Sequence, residues 1–247
     1  MMTVQKNDRK WFLTKVKKAC REFSLIDDGD KIAVGLSGGK DSSTLLYIMR
    51  ALQWELPVDF EVKPLIIDMG WGMNLTPLKD FCSSLGYELT VIKTEIAKII
   101  FDVRKEKNPC ALCAKMRRGA LHDAALELGC KKVALGHHLD DVIETYFMNL
   151  IFTGKMATFH PKSFLDRKGI TLIRPMVFLQ EKTTSSVARN KGLPILESPC
   201  PANKNTKREE MKELVEEYSK RYPDFRHKFL TALRNFEPDS LWKKVHI

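Results

Sequence analysis

A short segment rich in glycine and serine constrains the fold of this chain more than any other part of it. The segment follows an apolar run at residues 31–36 and precedes residues 43–52, in which apolar side chains recur at helical spacing. This order predicts a strand, a tight loop and a helix. Small residues let the backbone amides of such a loop approach an anion, and the helix amino terminus adds positive potential. The loop is therefore predicted to bind a phosphate, and it consists of Ser37, Gly38, Gly39, Lys40, Asp41 and Ser42.

Counting residues excludes two common phosphate loops. A Walker A loop needs four residues between its first glycine and its Gly-Lys pair, and the segment from Gly35 to Lys40 is one residue too short. The dinucleotide-binding pattern is absent as well. A turn without a ligand would need only one or two of these residues. The segment instead resembles the SGGxDS loop of the PP-loop ATP pyrophosphatases. The resemblance implies that it binds ATP, which is split into AMP and pyrophosphate, with Lys40 and Asp41 as catalytic residues.

Strand and helix patterns alternate along the chain. This alternation predicts a parallel, doubly wound α/β sheet with helices on both faces. The resemblance to the PP-loop enzymes implies that this Rossmann-like fold is of the HUP type. We expect an N-terminal helix in residues 1–25, a PP-loop domain in 26–200 and a C-terminal helical extension in 201–247. The predicted strands are 31–36, 60–68, 87–93, 133–136 and 171–174. The predicted helices are 7–23, 43–52, 76–86, 114–128, one that opens at 137–141 and runs to 152, 181–190, 206–222 and 224–236.

Polar residues follow two of the predicted strands. In a parallel sheet, ligands bind at the carboxyl ends of the strands, so Asp68, Gly136, His137 and Asp141 are predicted to face the nucleotide. Carboxylates at this edge are available to hold Mg²⁺. Asp141 and Glu144 also have the spacing of a helix capping box, and the two interpretations are compatible.

The chain of 247 residues is strongly basic, with 41 lysines and arginines against 31 acidic residues and a formal charge of +10. Such an excess favours binding of a polyanion, of which RNA is the obvious large example, although solubility alone also accounts for it. The first ten residues are polar, and no apolar run approaches the length of a membrane span. These features predict a cytoplasmic protein with no membrane partner.

The six cysteines fall into two groups. Cys20, Cys82 and Cys130 lie among apolar neighbours or at helix ends and are interpreted as small buried hydrophobic residues. Cys110 and Cys113 form a C-x-x-C pair at the opening of a helix, near cations that favour thiolates. Alone, the pair indicates a redox couple, half a zinc site or neither. Cys200 lies in a rigid loop between two prolines, and three ligands suit a centre with an open position.

Several motifs in order along residues 10–235 resemble the TtcA family of tRNA 2-thiocytidine synthetases, within the PP-loop tRNA thiolation enzymes. One departure occurs, because the second cysteine that the family carries near Cys200 is missing. The paired zinc-finger cysteines of the enzymes that thiolate uridine are also absent, which favours the TtcA-like branch. The matching segments are Ser37–Ser42, Cys110-x-x-Cys113 with Arg117-Arg118-Gly119, Leu135-Gly136-His137-His138-x-Asp140-Asp141, Gly154-Lys155-Met156, Ile173-Arg174-Pro175 and Cys200.

The resemblance implies a cofactor and a reaction. In the family three cysteines hold a [4Fe-4S] cluster with one iron free of protein ligand, and the matching positions are Cys110, Cys113 and Cys200. ATP and Mg²⁺ would adenylate a pyrimidine carbonyl oxygen in the tRNA anticodon loop, and sulfur from sulfide or a cysteine desulfurase would then replace that oxygen. A homodimer is compatible with this interpretation.

Other functions remain open on the sequence. A PP-loop thiolase could use a cysteine persulfide without a cluster, or act on another base or a small molecule. A lysidine synthase or an amide-forming ligase would share the loop, but its chemistry gives no reason for three placed cysteines. A non-catalytic RNA-binding module would not need the intact loop with Lys40, Asp41 and Ser42.

Overall fold

The computed structural model describes residues 8–106, 109–197, 199–201, 207–235, 237 and 240. Contacts divide the described residues into two compact units. The first is drawn from Met1–His138 and Phe159–Asn205, and the second from Leu139–Thr158 and Thr206–Ile247. The domain limits expected from the sequence, after residues 25 and 200, remain a prediction.

The first unit is built on a six-stranded sheet with the strand order β3-β2-β1-β4-β6-β5. Neighbouring strands are parallel except for β5, which pairs antiparallel with β6 at the edge. This arrangement confirms the predicted Rossmann-like α/β fold. The strands are β1 (Asp30–Leu36), β2 (Phe60–Asp68), β3 (Thr90–Lys93), β4 (Lys132–Ala134), β5 (Lys162–Leu165) and β6 (Ile170–Ile173).

Helices connect and flank the strands, and a helix lies at each predicted position, with its ends shifted by up to five residues where the structure describes them. A π-helical turn, Arg9–Leu13, precedes the first α-helix, and two short helical segments, Ile96–Lys98 and Ile99–Val103, follow β3. The longer helices are α1 (Thr14–Glu22), α2 (Lys40–Glu55), α3 (Thr76–Ser84), α4 (Pro109–Glu127), α5 (Leu139–Thr153), α6 (Glu181–Asn190), α7 (Lys207–Arg221) and α8 (Phe225–Arg234).

The strand order reverses at β1, because successive strands are added first on one side of β1 and then on the other. From β1 the chain moves outward through β2 to β3, and it then returns to add β4 on the other side of β1. Val34 is opposite Pro64 of β2 and Ala134 of β4. Ligands of doubly wound sheets bind outside the carboxyl ends of the strands at such a reversal. The loop after β1 and the segment after β4 therefore border the expected crevice.

The centre of the sheet is apolar, as a strand covered on both faces requires. Ile32, Ala33 and Val34 of β1 are fully buried. The predicted burial of Cys20, Cys82 and Cys130 is confirmed.

Several features differ from the sequence prediction, among them one strand and the start of one helix. The strand β5 was not predicted, because its four residues, Lys-Ser-Phe-Leu, show too little alternation to stand out from the surrounding loop. The helix α4 begins at Pro109, five residues before the predicted start at Ala114. Proline suits the first position of a helix, where its missing N–H has no intrahelical acceptor. Cys110 and Cys113 therefore lie inside the helix and not ahead of it.

The second unit is helical and consists of α5, α7 and α8. The core of this unit consists of three buried aliphatic residues, Leu139, Ile143 and Val215. Four partly buried residues, most of them aromatic, pack against these: Phe147, Phe225, Phe229 and Leu230. On α7, Met211 and Val215 are buried, whereas Tyr218 is 41% exposed. Among the described helices of both units, none has the length and apolar character needed to cross a membrane.

Candidate active site

The loop after β1 is closed by hydrogen bonds between its own serines and amides. The Ser37 amide donates to Ser42 Oγ at 3.1 Å, and Ser42 Oγ donates to the Gly39 carbonyl at 2.9 Å. Gly38 adopts φ of +81°, and a Cβ at this position would lie 3.1 Å from the Cβ of Leu196. Gly38 is thus required both by its backbone conformation and by the side chain packed over it. The predicted tight turn into the amino terminus of α2 is confirmed.

Lys40 begins α2 and lies between two carboxylates. Its Nζ is 2.7 Å from Asp41 Oδ2 and 3.0 Å from Glu181 Oε1. Partial burial acts to lower the pKa of the Lys40 ammonium, but the two carboxylates outweigh it and the pKa is raised. Lys40 therefore stays cationic through the neutral pH range and can neutralise a phosphate.

Asp41 is also held by helix α6. The Thr184 hydroxyl donates to Asp41 Oδ1 at 2.6 Å, and Thr184 is fully buried. His138 Nε2 lies 3.7 Å from Asp41 Oδ2. Both partners from α6, Glu181 and Thr184, were missed by the sequence analysis. They stand about 140 residues from the loop, at the start of a helix whose sequence shows no motif.

Gly136 lies directly against the start of α2. A Cβ on Gly136 would be 3.1 Å from both the carbonyl carbon and the carbonyl oxygen of Asp41 and 3.2 Å from the Ser42 nitrogen. Backbone atoms at this distance leave no space for a side chain, so the segment after β4 meets the loop after β1 through glycine. The structure therefore brings Gly136 to the loop, and His137 is the next residue.

Asp68 ends β2, as predicted, and is partly buried. Its Oδ1 accepts from the Gly70 amide at 2.9 Å, and its carbonyl accepts from Thr94 Oγ1 at 2.7 Å. These contacts fix the turn that follows β2. The predicted role of Asp68 in nucleotide binding remains a prediction.

Asp141 belongs to the second unit, where it accepts from Arg208 Nη1 at 2.8 Å. Asp140 beside it is buried and accepts from Arg226 Nε at 2.6 Å. The helix begins at Leu139, two residues before Asp141, so the predicted capping box with Asp141 at the cap is wrong. Helix α5 instead has its first-turn acids paired with arginines of α7 and α8. The predicted contact of Asp141 with a nucleotide stays a prediction.

The three singled-out cysteines differ in exposure from the buried ones. Cys110 is exposed, whereas Cys113 and Cys200 are partly buried. Burial raises the pKa of the Cys113 thiol, Arg117 opposes this, and Cys200 and Cys110 each raise it further. Cys113 is thus within electrostatic range of both other sulfurs. No group of three or more His, Cys, Asp or Glu in the described ranges is arranged to hold a single metal ion.

A phosphate-type loop at the reversal point of a parallel sheet defines a nucleotide-binding α/β protein. Residues 9–217 match the family model described as the PP-loop domain, and the chain belongs to that family.

Relatives of known designation are similar over almost the whole chain. The tRNA-cytidine(32) 2-sulfurtransferase of Pelobacter propionicus is 39% identical over 230 residues, which span 92% of this chain and 86% of the relative. The protein of the same designation from Syntrophotalea carbinolica is 38% identical over 228 residues, 91% of this chain and 88% of the relative.

A solved structure shares the fold. The U34-tRNA thiolase NcsA from Methanococcus maripaludis, solved with its [4Fe-4S] cluster, superposes with a TM-score of 0.72 over 93% of this chain and 81% of its own, at 24% sequence identity. At this identity the likeness is one of architecture.

Proposed function

We propose that the protein is an ATP-dependent tRNA thiolase that replaces the 2-oxygen of a cytidine in the anticodon loop, at position 32, by sulfur. The observation that carries the proposal is the match to proteins designated tRNA-cytidine(32) 2-sulfurtransferase over more than nine-tenths of the chain. The closed phosphate-type loop with Lys40 and Asp41 supports the ATP-dependent part of the activity.

The chemistry needs ATP because a pyrimidine carbonyl oxygen is a poor leaving group. In the proposed reaction this oxygen attacks the α-phosphorus, pyrophosphate departs, and the base carries AMP. Sulfide then adds to the same carbon, and AMP leaves with the original oxygen. The amides of Gly38 and Gly39 would bind phosphate oxygens, and Lys40 would neutralise charge that develops as pyrophosphate leaves.

Cys110, Cys113 and Cys200 are the residues that would hold a [4Fe-4S] cluster. Thiolates are the ordinary ligands of such clusters, and each binds a different iron, so the ligands stand farther apart than those of a single ion. Cys110 and Cys113 lie in the first turns of α4, and Arg117 opposes the rise that burial causes in the pKa of the Cys113 thiol. When bound, the cluster would supply an iron without a protein ligand, at which the incoming sulfur can be held.

Mg²⁺ is proposed as the second inorganic component, since carboxylate oxygens are its preferred protein ligands. Asp41, Asp68 and Asp141 are the carboxylates assigned to the nucleotide region, together with Gly136 and His137. The metal would add to the neutralisation of phosphate charge by Lys40.

The remaining parts of the proposal concern partners. The formal charge of +10 supports binding of tRNA through its phosphates. Extracting a base from a loop costs a few kcal/mol, less than from a duplex. The sulfur donor is proposed to be sulfide or a cysteine desulfurase, the compartment the cytoplasm and the assembly a homodimer.

Nucleoside analysis of tRNA tests the proposed function directly. Mass spectrometry should find 2-thiocytidine in tRNA from cells that carry the gene and not in tRNA from cells without it. Reintroduced wild-type protein should restore the nucleoside, and a Lys40→Ala or Asp41→Ala variant should not. Unchanged 2-thiocytidine after loss of the gene would contradict the proposal.

A further inference from the structure

Four aromatic side chains of the second unit form a row of nearly parallel rings. Phe147 of α5 and Phe225 of α8 are stacked, with ring centres 6.4 Å apart and planes inclined by 27°. Phe225 stacks in turn on Tyr218 of α7 at 5.6 Å and 27°, and Tyr218 stacks on Tyr222 at 6.5 Å and 20°. These distances are typical of aromatic pairs that attract each other. The row therefore leads from the core of the unit to its surface.

The outer two rings of the row lie open to solvent. Tyr218 is 41% exposed and Tyr222 is 51% exposed, whereas Phe147 and Phe225 are partly buried. The Tyr222 amide donates to the Tyr218 carbonyl at 2.8 Å, so the two tyrosines are one helical turn apart on the same face. The Phe225 amide donates to the Tyr222 carbonyl at 2.9 Å, which fixes the turn into α8. The exposed rings are thus held in position by the fold itself.

The segment that carries the exposed rings is basic. Residues 218–234 contain five lysines and arginines and one carboxylate. Lys220, Arg221 and Lys228 of this segment are exposed. The guanidinium carbon of Arg221 lies 5.6 Å from the centre of the Tyr222 ring. A cation therefore stands beside the outermost ring.

The structural role of this segment is carried by other residues. Arg226 Nε lies 2.6 Å from Asp140 Oδ1, and its Nη2 lies 2.9 Å from Glu216 Oε2, which ties α8 to α5 and α7. The carboxylates of α7 all precede Tyr218 in the sequence. About half of the surface of Tyr218 and Tyr222 stays in water, where it adds little to folding. Exposed apolar surface rimmed by charge marks an interaction site.

The combination of parallel rings and cations indicates the kind of partner. Unpaired bases of RNA stack on aromatic side chains, and cations beside them bind the phosphates. A duplex matches the charge, but its bases are already stacked on one another. An acidic protein also matches the charge, but it gives no reason for parallel rings. A loop of tRNA offers both unpaired bases and phosphates.

We propose that Tyr218 and Tyr222 form a stacking platform for unpaired nucleotides of tRNA, with Arg221 beside it to bind a phosphate. The inference rests on the tRNA substrate of the proposed function, and it adds a surface by which the second unit binds that substrate. A base that stacks on the platform covers aromatic surface that the free protein leaves in water.

Binding of a fluorescently labelled anticodon stem-loop RNA, followed by anisotropy, tests the inference. Tyr222→Ala should weaken binding by roughly ten-fold, the loss typical of one stacked base. Tyr222→Phe keeps the ring and should bind as the wild type does. Tyr222→Leu keeps an apolar side chain without a ring, and it should lose affinity as the alanine variant does. Because Tyr222 is half exposed, none of these changes threatens the fold.

Trp54→Ala is the matched control. Trp54 of the first unit is 48% exposed, and the guanidinium carbon of Arg50 lies 4.5 Å from the centre of its ring. The pocket beside it is lined by carboxylates, which repel the phosphates of RNA: Asp30, Asp59 and Glu61. Trp54→Ala should therefore bind the RNA with wild-type affinity, although it also removes an exposed ring next to an arginine.

A salt series separates stacking from charge. Tyr222→Ala should lower the affinity by the same factor at every salt concentration, because a ring releases no counterions. Arg221→Gln should instead reduce the slope of the salt dependence by about one. A stem-loop with 5-iodouridine in its loop gives a direct readout, since this base cross-links to a stacked aromatic ring under light. Mass spectrometry of the peptides should find the cross-link at Tyr218 or Tyr222.

Three outcomes would overturn the inference: wild-type affinity of Tyr222→Ala, equal affinity of the leucine and phenylalanine variants, or cross-links confined to other residues. A Tyr222→Ala variant with unchanged RNA affinity and a lower mass in sedimentation would show that a second copy of the chain covers the rings. A wild type that binds the RNA through Tyr222 but leaves tRNA unthiolated would instead contradict the proposed function alone.

Discussion

Asp41 depends on a partner that is distant in sequence. Thr184 is fully buried and donates to Asp41 Oδ1 at 2.6 Å, so it sets the direction of that carboxylate. Thr184→Val keeps the shape of the side chain and removes the hydroxyl. We expect kcat for tRNA-dependent pyrophosphate release to fall by roughly ten-fold, the loss typical of a hydrogen bond to a charged group, with little change in KM for ATP.

Thr184→Ser is the control for this change, since it keeps the hydroxyl and should retain near-normal turnover. The midpoint of thermal unfolding, measured for both variants, accounts for any packing loss. If valine and serine variants were equally slow, the hydroxyl would not be what matters.

His122 gives the fold a dependence on pH. It is 7% exposed, and its Nε2 has no hydrogen-bond partner among the described residues. Burial lowers the pKa of this imidazole, and Arg118 and Lys168 lower it further against the opposing effect of Asp123. The unfolded chain therefore takes up a proton at a higher pH than the folded chain, and stability is lost as the pH falls below about 6.5, the ordinary histidine value.

The expected result is a free energy of unfolding that declines between pH 7 and pH 5 in the wild type. In His122→Leu this decline should be smaller, because the titrating group is gone, and the orphaned polar atom is removed as well. Urea unfolding at several pH values measures the free energy of unfolding of both proteins. His227→Leu is the control for loss of an imidazole, because His227 is exposed. An identical decline in wild type and His122→Leu would refute the assignment.

At the residue scale, sequence reasoning found what is contiguous and missed what folding brings together. Ser37 to Ser42 were recognisable because six adjacent residues carry the signal. Glu181 and Thr184 lie in a segment without a recognisable motif, so their role could not be predicted from the sequence. Arg174 was noted as part of a matching segment, and nothing in the sequence indicated that the structure buries it.

Among the elements, helix α4 has the largest consequence for chemistry. It begins at Pro109, so Cys110 and Cys113 lie in its first turns, with Cys110 exposed and Cys113 partly buried. We predict that protein prepared without oxygen binds a [4Fe-4S] cluster with one labile iron. Alanine at Cys110, Cys113 or Cys200 should abolish both the cluster absorbance and thiolation.

Alanine at Cys20, Cys82 or Cys130 provides matched controls. These side chains are buried away from solvent, so their loss should reduce stability modestly and leave cluster and activity in place. A cluster that survives Cys200→Ala, or an active protein with no iron, would favour persulfide chemistry instead.

The limits of a strand or helix were predictable where the sequence marks its ends clearly. The limits of β2 and α6 were predicted to the residue, because an apolar run ending in Asp68 and a helix followed by Gly192 have clear ends. The edge strand β5 was missed. It is stabilised by its antiparallel pairing with β6. Its four residues have no pattern from which this pairing could be predicted.

At the scale of the whole molecule, the excess of positive charge predicts how tRNA binds. Affinity should fall by orders of magnitude between low and moderate salt, because each neutralised phosphate releases counterions. Filter binding across a salt series measures this, and alanine at an exposed contributing cation should reduce the slope by about one. Four exposed cations are candidates for these contacts, which are Arg117, Arg118, Lys155 and Arg167.

A control exists for this series. Arg174 is buried, so its replacement should leave the salt slope unchanged although it removes one charge. A flat salt response of the wild type would argue against tRNA and for a small-molecule acceptor.

The second unit is built from separated parts of the chain, so its helices cannot pack together until synthesis is nearly finished. Ile143 and Phe147 of α5 are covered by Val215 and Phe225, and α7 begins at Lys207, long after α5 ends at Thr153. While the ribosome synthesises the intervening segment, the apolar face of α5 has none of these partners. A nascent chain halted before Lys207 would thus present an aromatic surface to chaperones and to other nascent chains.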